Sequence, residues 1–144
     1  MIRKISIEDF YKIYTLGQSF DAKFQNHYNL DLYLNNKVNN ILIYEENNVI
    51  KGFIIYKIID DFIDVELILV DKKYQNGKIG TKLMREIEKE DISFINLEVS
   101  KENIIAKKLY DSLGYKEIFI RRGYYNGIDA IIMKKVLKWK MYTY

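Results

Sequence analysis

Apolar residues recur with two different periods along this chain, and each change of period marks an element. Residues 2–5 predict a short first strand. Ser6-x-x-Asp9 follows, a spacing that lets a hydroxyl and a carboxylate satisfy backbone N–H groups at a helix start, with Glu8 and Asp9 favoured in the first turn. Ile7, Phe10, Tyr14 and Gly17 then fall at helical spacing, so a helix is expected to about Phe20. Residues 21–38 carry a weaker pattern, in which "NLDLYLNN" predicts a second short helix. From 40 to 59, "ILIYEE" and "VIKGFIIYKII" are β-rich runs joined by Asn47-Asn48, residues that tolerate the left-handed turn conformation. A further turn at Asp60-Asp61 leads into "FIDVELILV". After a polar loop, Ile79, Leu83 and Ile87 form the inner stripe of a helix from about Ile79 to Glu90. "SFINLEV" reads as another strand. Ser100 is placed to cap the next helix and Gly114 to end it in the left-handed conformation. "YKEIFIRR" and "GIDAIIMKKV" close the chain as strands. The order β-α-(α)-β-β-β-α-β-α-β-β describes a mixed α/β domain: an antiparallel meander followed by a strand–helix–strand unit.

Composition bounds this picture. A chain of 144 residues, 49% apolar, suffices for one domain with its own core, expected over 1–144 with 136–144 as a C-terminal extension. The tail "LKWKMYTY" mixes cations with aromatics and leaves its role open among extending the last strand, fraying and touching a partner. No apolar run approaches bilayer length, and Met1-Ile2-Arg3-Lys4 leads into an alternating pattern, so neither a span nor a signal peptide is expected. The absence of cysteine excludes disulfides, thiolate metal sites and a cysteine nucleophile, and a cytoplasmic location fits best. His27, the single histidine, has no partner pattern and reads as a surface residue. Thirteen tyrosines accompany abundant Ile, Asn and Lys, which marks a compositional bias and not a set of sites. Charge does change the picture. Residues 1–72 hold 8 Lys/Arg against 11 Asp/Glu, a net of −3, whereas residues 73–144 hold 15 against 9, a net of +6. A polyanionic ligand suits the second half, and so does a simply solvated basic surface.

The basic half begins at Gln75-Asn76-Gly77-Lys78-Ile79-Gly80. Asn-Gly is a strong turn dipeptide, and neither G-x-x-x-x-G-K-[ST] nor G-x-G-x-x-G is present, so a plain connecting loop stands beside a phosphate cradle. A strand feeding a glycine-containing turn that opens a helix leaves backbone N–H groups pointing outward at the positive end of the helix dipole. Lys78 and Lys82 add charge there. Farther on, Ile95, Leu97 and Val99 alternate onto one strand face, which sends Glu98 to the other. Asn103, Ala106 and Tyr110 share one face of the following helix. On pattern alone, a solvated Glu98 and a core Tyr110 remain available.

"LVDKKYQNGKIGTKLM" resembles the acyl-CoA-binding motif of the GNAT acetyltransferases, written Q/R-x-x-G-x-G/A. Gln75 and Gly80 match; Gly77 sits one place early and Lys78 occupies the usual glycine position. "LEVSKENIIAKKLYDSLGYKEIFIRRGYYNGIDAIIM" is similar to the RimI-like branch, the bacterial ribosomal-protein-alanine N-acetyltransferases. Together the two regions cover roughly residues 65–135. The resemblance implies the GNAT fold, a mixed, mostly antiparallel sheet of about seven strands flanked by about four helices. It implies acetyl-CoA as co-substrate with no metal. The pyrophosphate is then held by Gln75 and the amides of Asn76, Gly77, Lys78, Ile79, Gly80 and Thr81, and the pantetheine arm pairs with the backbone of Ile68, Leu69 and Val70. It assigns Glu98 as general base, Tyr110 as the acid that protonates the departing thiolate, and Asn103 as a cofactor contact. Arg121, Arg122, Tyr124 and Tyr125, before the last hairpin loop, are implied to line the substrate groove, with cross-strand packing as the alternative. The chain departs from the branch at 18–38, which lacks an aromatic-proline stretch, and at Gly123 in a shortened hairpin. Acetyl transfer is therefore expected more firmly than its acceptor. The leading expectation is direct transfer, in a ternary complex, to a protein N-terminus, that of a small-subunit ribosomal protein, by a monomer or weak dimer that binds neither membrane nor nucleic acid. A small amine such as a polyamine or an antibiotic is the alternative acceptor, followed by a CoA-binding sensor without turnover. A basic nucleic-acid-binding domain ranks last, since no Arg/Lys-dense recognition helix is present.

Overall fold

The computed structural model describes residues 1–138; residues 139–144, and the side chains of Asn76 and Tyr125, lie outside the description. Among the described residues, seven strands form one sheet: β1 (Ile2–Lys4), β2 (Asn39–Glu46), β3 (Val49–Ile59), β4 (Phe62–Val70), β5 (Phe94–Ser100), β6 (Lys116–Tyr125) and β7 (Ile128–Val136), in the order β1-β2-β3-β4-β5-β7-β6. All neighbours are antiparallel except β4 and β5. Four helices accompany the sheet: α1 (Phe10–Phe20), α2 (Phe24–His27), α3 (Ile79–Ile87) and α4 (Ile104–Ser112), with 3-10 turns at Ile7–Asp9, Leu30–Tyr33 and Lys72–Gly77. No helix among the described residues is long and apolar enough to cross a membrane.

Local chemistry explains the meander. Asn47 and Asn48 both take positive φ, 53° and 62°, the turn geometry whose twist matches that of the strands it joins. Asp60 does the same at φ 51° in the next turn. β2 and β3 then bury side chains on both faces, which is why their sequences read as nearly continuous apolar runs. Leu42, Tyr44, Ile54 and Tyr56 join Leu83, Met84 and Ile87 of α3 in one core layer. Ile41, Ile43, Phe53 and Ile55 join Ile13, Leu16, Phe24 and Leu30 in the other. Each such isoleucine or leucine contributes roughly 1.5–3 kcal/mol by leaving water.

The structure moves several expected boundaries. Ile7 lies in the 3-10 turn and is 64% exposed; the buried stripe of α1 is Ile13, Leu16 and Gly17, one step round from the expected set. The reason is Asp9, which turns inward: its carboxylate accepts from the Ser6 N–H at 2.7 Å and from Arg3 at 2.8 Å, rotating the start of the helix. Residues 29–36 form only a 3-10 turn, preceded by the short α2. α3 ends at Ile87, short of the expected Glu90. Ser100 ends β5 and does not cap α4; the cap is Asn103, whose Oδ1 accepts from the Ala106 N–H at 3.2 Å. Gly114 does end α4 at φ 94°. β6 continues through Arg121, Arg122, Gly123 and Tyr124 to Tyr125, so these residues belong to a strand, and the turn is Asn126-Gly127. His27 is exposed as expected, with Nδ1 2.8 Å from Asp21 Oδ2.

Gly17 fixes α1 on the sheet. A Cβ there would lie 2.4 Å from the ring of Phe24, itself fully buried among Tyr14, Tyr28 and Phe53. Alanine favours a helix by about 0.5–1 kcal/mol over glycine, but the ring has nowhere to go. Gly17→Ala is expected to lower the unfolding free energy in urea by about 1–2 kcal/mol through overpacking; an unchanged or raised midpoint would show that Phe24 is free to shift.

Candidate active site

The parallel pairing of β4 with β5 covers only Phe62–Val65 against Phe94–Leu97. Beyond it, Ile55 faces Leu67 while Tyr56 faces Val65, so Glu66 is an extra residue, a β-bulge that bends β4. β4 then follows β3 as far as Val70 opposite Gly52, and Glu98, Val99 and Ser100 of β5 pair with β7 alone. The two strands part, and the edge of β4 at Ile68, Leu69 and Val70 faces an open cleft of about 450 Å³, lined also by Gln75, Lys78, Gly80, Thr81, Asn103 and Ala106. Backbone groups along such an edge are ready to pair with an extended ligand.

The mouth of this cleft is the start of α3. Asp71 caps the start of the preceding 3-10 turn by accepting from the Lys73 N–H at 3.1 Å. Lys78 then takes φ 61°, ψ 25°, the left-handed conformation, at the position where the motif has glycine. The first helical bond runs from the Lys82 N–H to the Lys78 carbonyl at 3.1 Å, so the amides of Ile79, Gly80 and Thr81 precede the ladder at the positive end of the helix. Gly80 lets the helix start pack closely: a Cβ would lie 3.2 Å from the end of the Leu109 side chain of α4 and 3.8 Å from Ile68 of β4. A Cβ on Gly77 would meet only Ile79 at 4.0 Å, so the displaced glycine serves no such approach. Lys51, Lys72, Lys73 and Lys82 line an adjoining cleft of about 260 Å³. An extended ligand with an anionic head fits this arrangement of edge, helix start and lysines.

A second cleft, about 370 Å³, opens between the parted strands and brings together Glu98, Tyr110, Asn103, Ala106, Glu66 and Phe20. Tyr110 is 5% exposed and packs 6.0 Å from the Tyr115 ring; burial pushes its hydroxyl up to about 12. Glu98 leaves the sheet on the face opposite Ile95, Leu97 and Val99, as the alternation predicts. Its Oε1 is buried with no hydrogen-bond partner, and Arg121 Nη1 stands 3.8 Å away, too far to bond. Asn103 lines both clefts, and its cap uses only Oδ1. Arg122 is not beside Glu98: Asp129 holds its Nη1 at 3.0 Å. Tyr124 lies under the Arg121 guanidinium, 5.4 Å from ring centroid to Cζ.

Phe20 and Glu66 line these clefts without being singled out in the sequence. Phe20, 60% exposed at the end of α1, borders both clefts; a large aromatic off the buried stripe is the one signal that marks it. Glu66 reaches the cleft through the bulge, which no periodicity announces. Its Oε1 is 3.0 Å from Lys57 Nζ, and it faces Asp64, whose carboxyl is pushed up first by burial and then by Glu66. No cluster of metal-ligating side chains occurs among the described residues.

An opened parallel strand pair beside a basic helix start, with a carboxylate and a buried tyrosine in the opening, has the layout of an acyltransferase that takes an extended acyl carrier. Residues 5–137 match the acetyltransferase (GNAT) domain, and the chain belongs to this family. Its relatives are N-acetyltransferases. It is 33% identical over 137 residues, 90% of this chain and 92% of the other, to the [ribosomal protein bS18]-alanine N-acetyltransferase of Haemophilus ducreyi. The crystal structure of the ribosomal-protein-S18-alanine N-acetyltransferase from Escherichia coli superposes with a TM-score of 0.81 at 27% identity, covering 98% of this chain and 96% of that one. An Elizabethkingia anophelis GNAT acetyltransferase with acetyl-CoA bound shares the fold, with a TM-score of 0.77 at 18% identity over 94% of this chain and 97% of that one. The expected GNAT architecture and RimI-like resemblance are thus found.

Lys78 holds a conformation that costs a side-chain-bearing residue roughly 1–2 kcal/mol and glycine almost nothing. Lys78→Gly is expected to raise the unfolding free energy by about 0.5–1 kcal/mol after the added chain entropy of glycine, read as a higher urea midpoint; a lowered midpoint would mean that the lysine side chain is holding the turn.

Proposed function

We propose that this N-acetyltransferase moves an acetyl group from acetyl-CoA to the α-amine of a protein N-terminus, that of a small-subunit ribosomal protein, by direct transfer in a ternary complex. The observation that carries the reading is the placement of Glu98 and Tyr110 in one cleft beside the open edge of β4. The names and near-full coverage of the bacterial relatives support the acceptor.

The residues present fit acetyl-CoA. The edge of Ile68, Leu69 and Val70 suits its amide-bearing arm, and Gln75 with the amides of residues 76–81 suits its pyrophosphate. Asn103 at the cleft wall is a further contact. When bound, acetyl-CoA supplies the acetyl group as a thioester. Glu98 takes a proton from the acceptor ammonium, directly or through water; an α-amine titrates near 8, so a carboxylate need only accept the proton that is already leaving. Tyr110, a phenol that is protonated through the neutral range and held more firmly so by burial, donates its hydroxyl proton to the departing thiolate. With no cysteine in the chain, no thiol carries the acyl group between the two substrates.

Asp64 and Glu66, on the acceptor side of the sheet, favour a basic acceptor, and a polyamine is the second reading; the ion pair of Glu66 with Lys57 weakens that attraction. Thiol release with a ribosomal N-terminal peptide, unrelated N-terminal peptides, a lysine peptide and spermidine, followed by mass spectrometry, separates the two. Acetylation of the α-amine of the ribosomal peptide is expected; turnover of spermidine alone would move the enzyme to the small-amine branch.

Glu98→Gln and Tyr110→Phe are each expected to lower kcat by about 10²-fold or more, the scale of lost proton transfer, with acetyl-CoA affinity within about twofold. Full activity in both variants would remove them from the reaction.

A further inference from the structure

Glu98 and Arg121 come from strands that are not neighbours, yet they leave the same face of the sheet. Ser100, Ala130 and Arg121 stand opposite one another across β5, β7 and β6, and Glu98 is two residues before Ser100. Ala130 presents only a methyl group, so the arginine crosses β7 without obstruction. Its Nη1 stops 3.8 Å from Glu98 Oε1. Hydrogen bonds between such atoms close to about 2.7–3.2 Å, so this is an ion pair without a hydrogen bond. Oε1 has no other partner, while the guanidinium leans on the ring of Tyr124. Oε1 is closed off, so the carboxylate oxygen open to a ligand is Oε2; the Glu98 and Arg121 side chains, 27% and 49% exposed, stand side by side on this face.

We propose that this adjacent pair reads the first residue of the acceptor: the α-amine nitrogen sits on the open oxygen of Glu98 and the first peptide carbonyl oxygen accepts from Arg121. The inference rests on the α-amine reading above. In an N-terminal residue the amine nitrogen and carbonyl oxygen are three bonds apart, about 3–3.5 Å from covalent dimensions, short enough for one residue to reach both side chains of a pair whose nearest atoms are 3.8 Å apart. An alkylamine or polyamine has no carbonyl there and leaves the guanidinium unfilled. Asp64 and Glu66 attract any cation, so they do not make this distinction. Arg122 does not make it either, because Asp129 holds it. A guanidinium suits the task because its fork of donors reaches the carbonyl while its plane stays against Tyr124. Arg121 is therefore a specificity-determining residue that selects peptide α-amines over alkylamines.

The test compares an alanine-initiated peptide with its (E)-alkene isostere, which keeps the chain geometry and lacks the first carbonyl. Both are run as acceptors on the wild-type enzyme, Arg121→Gln and Arg121→Lys. The wild-type KM for the isostere is expected about tenfold or more above that for the peptide, the scale of one hydrogen bond to a charged group. Arg121→Gln is expected to raise the peptide KM by a similar factor with kcat within about twofold, and to leave the isostere KM unchanged. Arg121→Lys recovers part of the loss. Equal wild-type KM values for peptide and isostere overturn the proposal. So does an Arg121→Gln effect that falls equally on both acceptors or on kcat, which would mark general support of Glu98. If Arg121→Gln does not fold, the wild-type comparison and Arg121→Lys still decide. Peptide turnover that ignores Arg121 sinks only this proposal; a wild-type enzyme that acetylates no peptide sinks the α-amine reading with it.

Discussion

The parallel ladder between β4 and β5 runs from Phe62–Phe94 to Val65–Leu97 and stops where Glu66 bulges. Its closed end is clamped. The rings of Phe62 and Phe94 stack 4.9 Å apart with planes 4° from parallel, and Ser93 bonds to Asp61 through both its backbone N–H and its hydroxyl. The Leu137 N–H, just past β7, adds a bond to the Ser93 carbonyl at 2.8 Å. With one end fixed and an extra residue inserted in one strand, the other end has to diverge, because bulges bend and twist the strand that carries them. The clefts and the open edge of β4 follow from that divergence, and α3 and α4 stand on its flanks.

The opening also sets the electrostatics of the site. One wall is the apolar layer beneath α3 and α4, so Tyr110 is taken out of water and its hydroxyl holds its proton more tightly. The opposite face carries Asp64, Glu66, Glu98 and Arg121, so the charged side chains gather there. Strand alternation separates the two environments within single residues of each other: Leu97 and Val99 are core, while Glu98 between them is the candidate base. The basic start of α3 borders one cleft and Glu98 and Tyr110 the other, with Ile68 of the β4 edge lining both.

Much of this was legible in the sequence because it rests on short-range rules. The Asn47-Asn48 turn, the Ile79–Leu83–Ile87 stripe, the alternation about Glu98 and the Gly114 stop are local properties, and all four hold in the structure. The start of α1 departs from the periodic pattern because Asp9 is drawn inward by Arg3 from β1, a tertiary contact without a periodic signature. The cap of α4 went to Asn103, not Ser100, because β5 extends through Ser100 to pair with Ala130. Arg121 and Arg122 are indistinguishable in sequence; irregular pairing in β6 beyond Arg121 and the carboxylate of Asp129 send them to different partners. The bulge at Glu66 is the largest omission, since it depends on the register of β4 against β3 and decides where the cleft opens.

Amide hydrogen exchange of the wild-type protein with and without saturating acetyl-CoA tests the role assigned to the parted strands most directly. The account predicts that amides on the free edge of β4 between residues 66 and 70, together with those of residues 79–81, slow markedly on addition of acetyl-CoA, while those of Phe62–Val65, already paired, change little. Tight binding with protection elsewhere and none along that edge would contradict it.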